Sequence, residues 1–136
     1  MQTGLPFTPT LQTATVNNGS SSRPNRIANG TLPSSERSLS RWFDRSAFTT
    51  PALYTYGNAG RNILSGPGRV NLDLSLFRDF PIRENMKVQF RFESFNTLNT
   101  PQFGLPNATI GSSQAGVISS TVGNPRQLQA ALRFEF

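Results

Sequence analysis

The sequence predicts an all-β chain: a long irregular amino-terminal loop region over residues 1–69, then antiparallel strands at about 70–80, 86–96 and 126–136. Three observations carry that expectation. Apolar and polar residues alternate along each of the three stretches, the period-two pattern of a strand with one greasy face. Ser, Thr, Asn, Pro and Gly dominate residues 1–40, a composition that buries too little apolar surface to offset its ordering entropy. No apolar run approaches the length of a membrane helix.

The chain opens with Gly4-Leu5-Pro6-Phe7-Thr8-Pro9, passes through Asn17-Asn18-Gly19-Ser20-Ser21-Ser22 and reaches Leu32-Pro33-Ser34-Ser35, all of it loop chemistry. The triplets Asn18-Gly19-Ser20, Asn29-Gly30-Thr31 and Asn107-Ala108-Thr109 match the glycosylation acceptor pattern, which a chain this rich in Asn, Ser and Thr produces by chance. Trp42, Phe43 and Phe48, with Tyr54 and Tyr56 beyond them, suit either an interfacial or sugar-stacking surface or the small core that pins a loop. Loop packing is the expected role. Gly57-Asn58-Ala59-Gly60-Arg61-Asn62 and Gly66-Pro67-Gly68 are turn chemistry, with glycines expected to supply positive φ. Neither run carries the lysine of a phosphate-binding loop.

Regularity begins at Val70. Val70, Leu72, Leu74 and Leu76 alternate with Asn71, Asp73 and Ser75. Pro81 to Asn85 form a short connection, since Pro81 has no ladder donor. Met86, Val88, Phe90 and Phe92 then alternate with Lys87, Gln89, Arg91 and Glu93. A hairpin centred near Arg83 sets Leu76 beside Phe90, Leu74 beside Phe92 and Asp79 beside Lys87. The last run, Arg126 to Phe136, places Leu128, Ala130, Leu132, Phe134 and Phe136 on one side, with only Ala131 breaking the alternation. Such a strand spans about 35 Å at about 3.3 Å per residue. Taken alone, it fits a soluble edge strand better than a membrane strand.

Composition narrows the function. The 136 residues make one modest domain. Cysteine and histidine are both absent, which removes disulfides, thiolate sites, thiol nucleophiles, the usual general base and the commonest metal ligand. The balance of 13 Lys+Arg against 7 Asp+Glu gives a formal charge of +6. Lys87 is the only lysine and the arginines are scattered from Arg23 to Arg133, so no nucleic-acid partner is expected. The carboxylates Asp73, Asp79 and Glu93 fall on the charged face of the strands, where they are ordinary lining, and Glu84 falls in the connection. No enzyme activity, catalytic residue, cofactor or metal site is expected.

A soluble sandwich and a transmembrane barrel predict the same alternation. Connection lengths separate them: a short turn on one side and a loop from Thr97 to Pro125 on the other is the asymmetry of outer-membrane barrels. Structureless loops that long are uncommon in compact soluble domains. The expected lipid-facing row is Val70, Leu72, Leu74 and Leu76, Val88, Phe90 and Phe92, and Leu128, Ala130 and Leu132. On that view residues 1–69 are mostly extracellular loop and residues 70–136 are barrel strands.

An ordered set of motifs sharpens the class. It comprises Trp42-Phe43-Asp44, Ser46-Ala47-Phe48, Gly57-Asn58-Ala59-Gly60-Arg61-Asn62, Gly66-Pro67-Gly68, Asn71-Leu72-Asp73-Leu74-Ser75, Gln89-Phe90-Arg91-Phe92-Glu93, Phe95-Asn96, Asn99, Pro101-Gln102-Phe103-Gly104 and Pro125-Arg126-Gln127-Leu128-Gln129. Together they resemble the carboxy-terminal part of TonB-dependent receptor barrels, nearest the Oar-like subgroup that often carries a carboxypeptidase-regulatory-like domain. Gln129, Ala131, Phe134 and the terminal Phe136 resemble the signal read by barrel-assembly machinery, with Ala131 standing where glycine is more usual. The resemblance implies a Gram-negative outer-membrane location and uptake of a bulky nutrient. Its implied partners are outer-membrane lipid, the assembly machinery, the remainder of the barrel and plug, and a TonB-type energy-coupling protein. Three strands do not close a barrel, so the chain is expected to be a fragment of a longer receptor or a truncated reading frame. The alternative is a soluble secreted or surface β-sandwich binding module for carbohydrate or adhesion, stacking a sugar on Trp42, Tyr54, Tyr56 and Phe103.

Overall fold

The alternating stretches form strands, and the residues between them form much shorter ones. The computed structural model describes residues 1–16 and 22–136, so the triplet Asn18-Gly19-Ser20 lies outside the described residues. In chain order the strands are β1 (Pro6–Phe7), β2 (Thr10–Leu11), β3 (Asn25–Arg26), β4 (Phe48–Thr49), β5 (Leu64–Ser65), β6 (Leu74–Arg83), β7 (Met86–Phe95), β8 (Thr109–Ile110) and β9 (Gln127–Glu135). Two single turns of 3-10 helix cover Ser34–Glu36 and Arg45–Ala47. The chain divides into two compact units.

The first unit comprises residues 1, 70–102 and 122–136 and is built on one three-stranded antiparallel sheet of order β6-β7-β9. Direct partners in such a ladder share a face, and four complete rows follow on the even-numbered face. They are Leu74-Ser94-Leu128, Leu76-Phe92-Ala130, Arg78-Phe90-Leu132 and Phe80-Val88-Phe134. The odd-numbered rows are Ser75-Glu93-Gln129, Phe77-Arg91-Ala131, Asp79-Gln89-Arg133 and Pro81-Lys87-Glu135. Even still faces even, as the sequence implies, but the register is displaced by two residues. Leu76 lies opposite Phe92 rather than Phe90, Leu74 opposite Ser94 rather than Phe92, and Asp79 opposite Gln89 rather than Lys87.

The displacement has a local cause. β6 runs through Pro81 and Ile82 to Arg83, leaving Glu84 and Asn85 alone as the turn, and the register shifts between Pro81 and Arg83. Neither turn residue takes positive φ, which a type I′ turn requires of both and a type II′ turn of the first. An irregularity beside the proline absorbs the mismatch. At the other end β6 begins at Leu74, not Val70, because Asn96 turns the chain out of the ladder with φ 47°. Pairing there survives only as isolated bonds, such as Thr97 N–H donating to the Leu72 carbonyl at 2.8 Å.

The second unit comprises residues 2–69 and 103–121. Three two-stranded pairings stitch it: antiparallel β1-β5 and β3-β4, and parallel β2-β8. Its buried cluster is Phe7, Phe43, Ala47, Phe48, Leu64 and Ile110. Phe43, 1 % exposed, is its centre: the Phe7 ring tilts against it at 5.8 Å and the Phe48 ring meets it edge-on at 6.1 Å. A Ser/Thr/Asn/Pro/Gly-rich stretch thus acquires order from a few aromatic anchors far apart in sequence. Backbone pairing supplies the rest, with β1, β2 and β3 each bonded to a later strand.

Two glycines explain how these loops pass so closely. A Cβ at Gly57 would collide with the backbone carbonyls of Arg23 and Pro24, and one at Gly4 with the carbonyl of Gly66. Gly57, Gly60, Gly66 and Gly68 do not adopt the positive φ expected of them. Gly57 serves close backbone approach, and in this part of the chain positive φ falls on Tyr54 (61°) and Asn62 (54°) instead.

Candidate functional site

The sheet of the first unit is a single layer with two chemically distinct faces, and that asymmetry is the candidate site. On the even face Leu74, Leu76, Phe80, Leu128, Leu132 and Phe134 are all exposed, with Leu132 at 63 % and Phe134 at 66 %. Val70 and Leu72, which precede β6, are exposed as well. A contiguous apolar patch of this size marks a surface made for something other than water.

The odd face is a connected polar ladder. Lys87 Nζ meets Glu135 Oε2 at 2.8 Å across β7 and β9, and Arg133 Nε meets Glu135 Oε1 at 3.2 Å. Gln89 Nε2 donates to Asp79 Oδ1 at 3.0 Å, and Arg91 reaches Glu93 Oε1 at 3.2 Å. The Arg91 guanidinium also lies 5.0 Å from the Phe77 ring centre, which explains how a phenylalanine sits among charges. The carboxylates on this face are held by neighbouring cations and amides, an arrangement suited to lining a wet passage.

The residues of the terminal motif divide between the faces. Gln129 lies opposite Glu93 and Ala131 opposite Arg91 on the odd face, while Phe134 lies opposite Val88 on the even face. Phe136 follows the last paired residue and is almost fully exposed. Ala131, the one break in the apolar-polar alternation, leaves space in the row where Arg91 packs on Phe77.

At the end of the sheet away from the hairpin turn, a polar knot joins the strands. Asp73 Oδ1 accepts from the Asn96 backbone N–H at 2.8 Å, and both Asp73 oxygens accept from Asn71 Nδ2 at 3.0 Å. Asn96, 8 % exposed, donates through Nδ2 to the carbonyls of Thr100 and Asn124. Asn99 Oδ1 accepts from the Arg126 N–H at 3.1 Å, and Gln102 Nε2 donates to the Val70 carbonyl. The sequence reading missed this knot. Its signal was the spacing of Asn96 and Asn99, both of which take positive φ (47° and 49°), where Asn is better tolerated than most residues.

In the second unit the aromatic cluster divides. Phe43 and Phe48 enter the core, and Trp42 packs against it while Nε1 donates to the Ser65 carbonyl at 2.8 Å and the Arg37 guanidinium stacks 5.5 Å away. Tyr54 and Tyr56 remain exposed, Tyr54 at 86 %. Asp44 caps the Arg45–Ala47 turn, accepting from the Ser46 hydroxyl at 2.7 Å and the Ser46 N–H at 3.1 Å. Those two bonds, with Arg41 nearby, hold its carboxyl below the usual range. Among the described residues no group of three His, Cys, Asp or Glu is placed to hold a metal ion, and no helix is long and apolar enough to cross a membrane.

A two-faced antiparallel sheet calls for comparison with membrane strands, and a family model described as an outer membrane beta barrel domain matches residues 1–129. The chain belongs to the outer membrane beta barrel family. It is therefore an all-β outer-membrane protein, and this membership accounts for a sheet whose apolar side has no second layer within its unit. In lipid every backbone polar group needs a partner, which only helices and closed barrels provide. Among the described residues β6 and β9 are the outer strands of this three-stranded sheet. No curated protein and no solved structure matches the chain.

Proposed function

We propose that the chain forms part of the wall of a TonB-dependent receptor of the Oar-like subgroup, which takes up a bulky nutrient using energy supplied by an inner-membrane coupling protein. The observation that carries the barrel part is the register. It gathers Leu74, Leu76, Phe80, Val88, Phe90, Phe92, Leu128, Ala130, Leu132 and Phe134 on one side and the Lys87-Glu135-Arg133 and Asp79-Gln89 contacts on the other. The even face meets lipid and the odd face lines the interior. The receptor part rests on the ordered motifs from Trp42-Phe43-Asp44 to Pro125-Arg126-Gln127-Leu128-Gln129.

In this reading the Glu84–Asn85 turn is periplasmic and the long connection from β7 to β9 leaves on the extracellular side. Gln129, Ala131, Phe134 and Phe136 present the assembly signal. The ladder along the odd face is wall lining, with no catalytic role. Planar-bilayer recording of protein extracted from outer membranes tests the receptor function: a plugged receptor stays closed until its plug is unfolded with urea, whereas steady conductance without a coupling partner would indicate a passive pore.

A further inference from the structure

One residue disturbs the apolar face. Arg78 lies in the even row between Phe80 and Leu76, directly opposite Phe90, whose other partner is Leu132. Among the described residues no carboxylate pairs with it; its guanidinium lies 5.5 Å from the Phe80 ring centre. Phe80 belongs to the next row toward the Glu84–Asn85 turn, so the Arg78 side chain leans along the strand toward that end. Arg83, opposite Met86, brings a second guanidinium to the turn end of the same face.

The lean sets the depth of the charge. Arg78 is five residues from Arg83, about 16 Å along the strand and about 12 Å in depth at a tilt of about 40°. Leaning back over Phe80 recovers about two residues of that rise, roughly 5 Å of depth. The guanidinium then lies near the boundary between acyl chains and headgroups, given that the headgroup layer is about 5–7 Å thick on each side. Arginine reaching outward along an apolar surface is the ordinary behaviour of a long cationic side chain in lipid.

We propose that Arg78, held over Phe80 and supported by Arg83, binds the phosphate of an anionic phospholipid in the periplasmic leaflet. The proposal rests on the even face meeting lipid. A planar guanidinium donates two parallel N–H bonds to phosphate oxygens in a bidentate fork. The Phe80 ring covers one face of the cation and restricts it to that direction, while the apolar rows beyond, Leu76-Phe92-Ala130 and Leu74-Ser94-Leu128, offer acyl chains a surface.

Because the chain has no cysteine, Leu132→Cys gives a single labelling site in the Arg78 row. The protein carrying a spin label there is reconstituted in vesicles of phosphatidylcholine with spin-labelled phosphatidylglycerol or phosphatidylcholine. Protein with Arg78 intact is expected to prefer the anionic lipid about tenfold, Arg78→Gln to lose that preference, and Arg78→Lys to keep a reduced one. Inorganic phosphate is expected not to compete, and competition would assign the site to the free ion and overturn the proposal. Equal affinity for the two lipids with Arg78 intact, whatever the variants do, also overturns it. Oxygen reaching the Leu132 label while Arg78→Gln changes nothing refutes the lipid site alone. A label open to aqueous nickel refutes the lipid-face reading as well.

Discussion

Asp73 Oδ1 accepts the backbone N–H of Asn96 at 2.8 Å, fixing the residue that turns β7 out of the sheet to the segment that leads into β6. A buried amide that loses a charged acceptor keeps the desolvation cost without the bond, about 1.5–3 kcal/mol. Asp73→Ala should therefore fray the sheet at this end. Hydrogen exchange at Asn96 and Thr97 should accelerate while the amides of Val88 and Phe90 stay protected. Asp73→Asn, which keeps an acceptor oxygen, should lose less.

Phe43 holds the second unit together through Phe7 and Phe48. Phe43→Ala leaves a cavity in a core of six buried residues and should cost about 3–5 kcal/mol. Limited proteolysis should then cut between Arg37 and Arg61 faster than in the unsubstituted protein. Tyr54→Ala, at an exposed position with φ 61°, should leave the same pattern unchanged.

Asp44 supplies an acid-dependent element. Its carboxyl is held below the usual range by the Ser46 hydroxyl, then by the Ser46 N–H, with Arg41 adding to both. A carboxyl depressed in the folded state stabilises the fold fully above its unfolded pKa. That contribution is lost as pH falls through the folded value. Acid melting of the Arg45–Ala47 turn should thus begin below about pH 4, near the unfolded aspartate value, and Asp44→Asn should flatten this limb. Tryptophan fluorescence from Trp42, two residues away, reports it.

Phe136 follows the last paired residue of β9 and is almost fully exposed. If it completes an assembly signal with Gln129, Ala131 and Phe134, deleting it should reduce the heat-modifiable, membrane-inserted fraction several-fold in cells. The same protein refolded in detergent should lose little, because the residue makes few contacts within the sheet. An equal loss in both settings would make Phe136 a structural residue, not a signal.

The sequence disclosed parity better than register. Period-two alternation at Leu74, Leu76, Val88, Phe90, Phe92 and Leu128 carries face assignment in the residues themselves, and shifts of two leave it intact. The two-residue displacement arose where Pro81 and Ile82 stay in β6 beside an irregularity, which local composition does not reveal. The core of the second unit was hidden for a different reason. Phe7, Phe43, Phe48, Leu64 and Ile110 are isolated apolar residues with no period, and only long-range pairing such as β1 with β5 brings them together. The polar knot at Asp73 and Asn96 was likewise distant in sequence, and Gly57 serves close backbone approach, which depends on a neighbour the sequence does not indicate.

In the proposed barrel wall the even face of β6, β7 and β9 meets lipid and the odd face meets water. A single-cysteine spin-label scan across residues 86–92 and 128–134 in reconstituted membranes distinguishes the two faces. The predicted result is a period of two, with oxygen reaching Val88, Phe90, Leu128, Leu132 and Phe134, and aqueous nickel reaching Gln89, Arg91, Gln129 and Arg133. Accessibility without that alternation, or with its phase reversed, would contradict it.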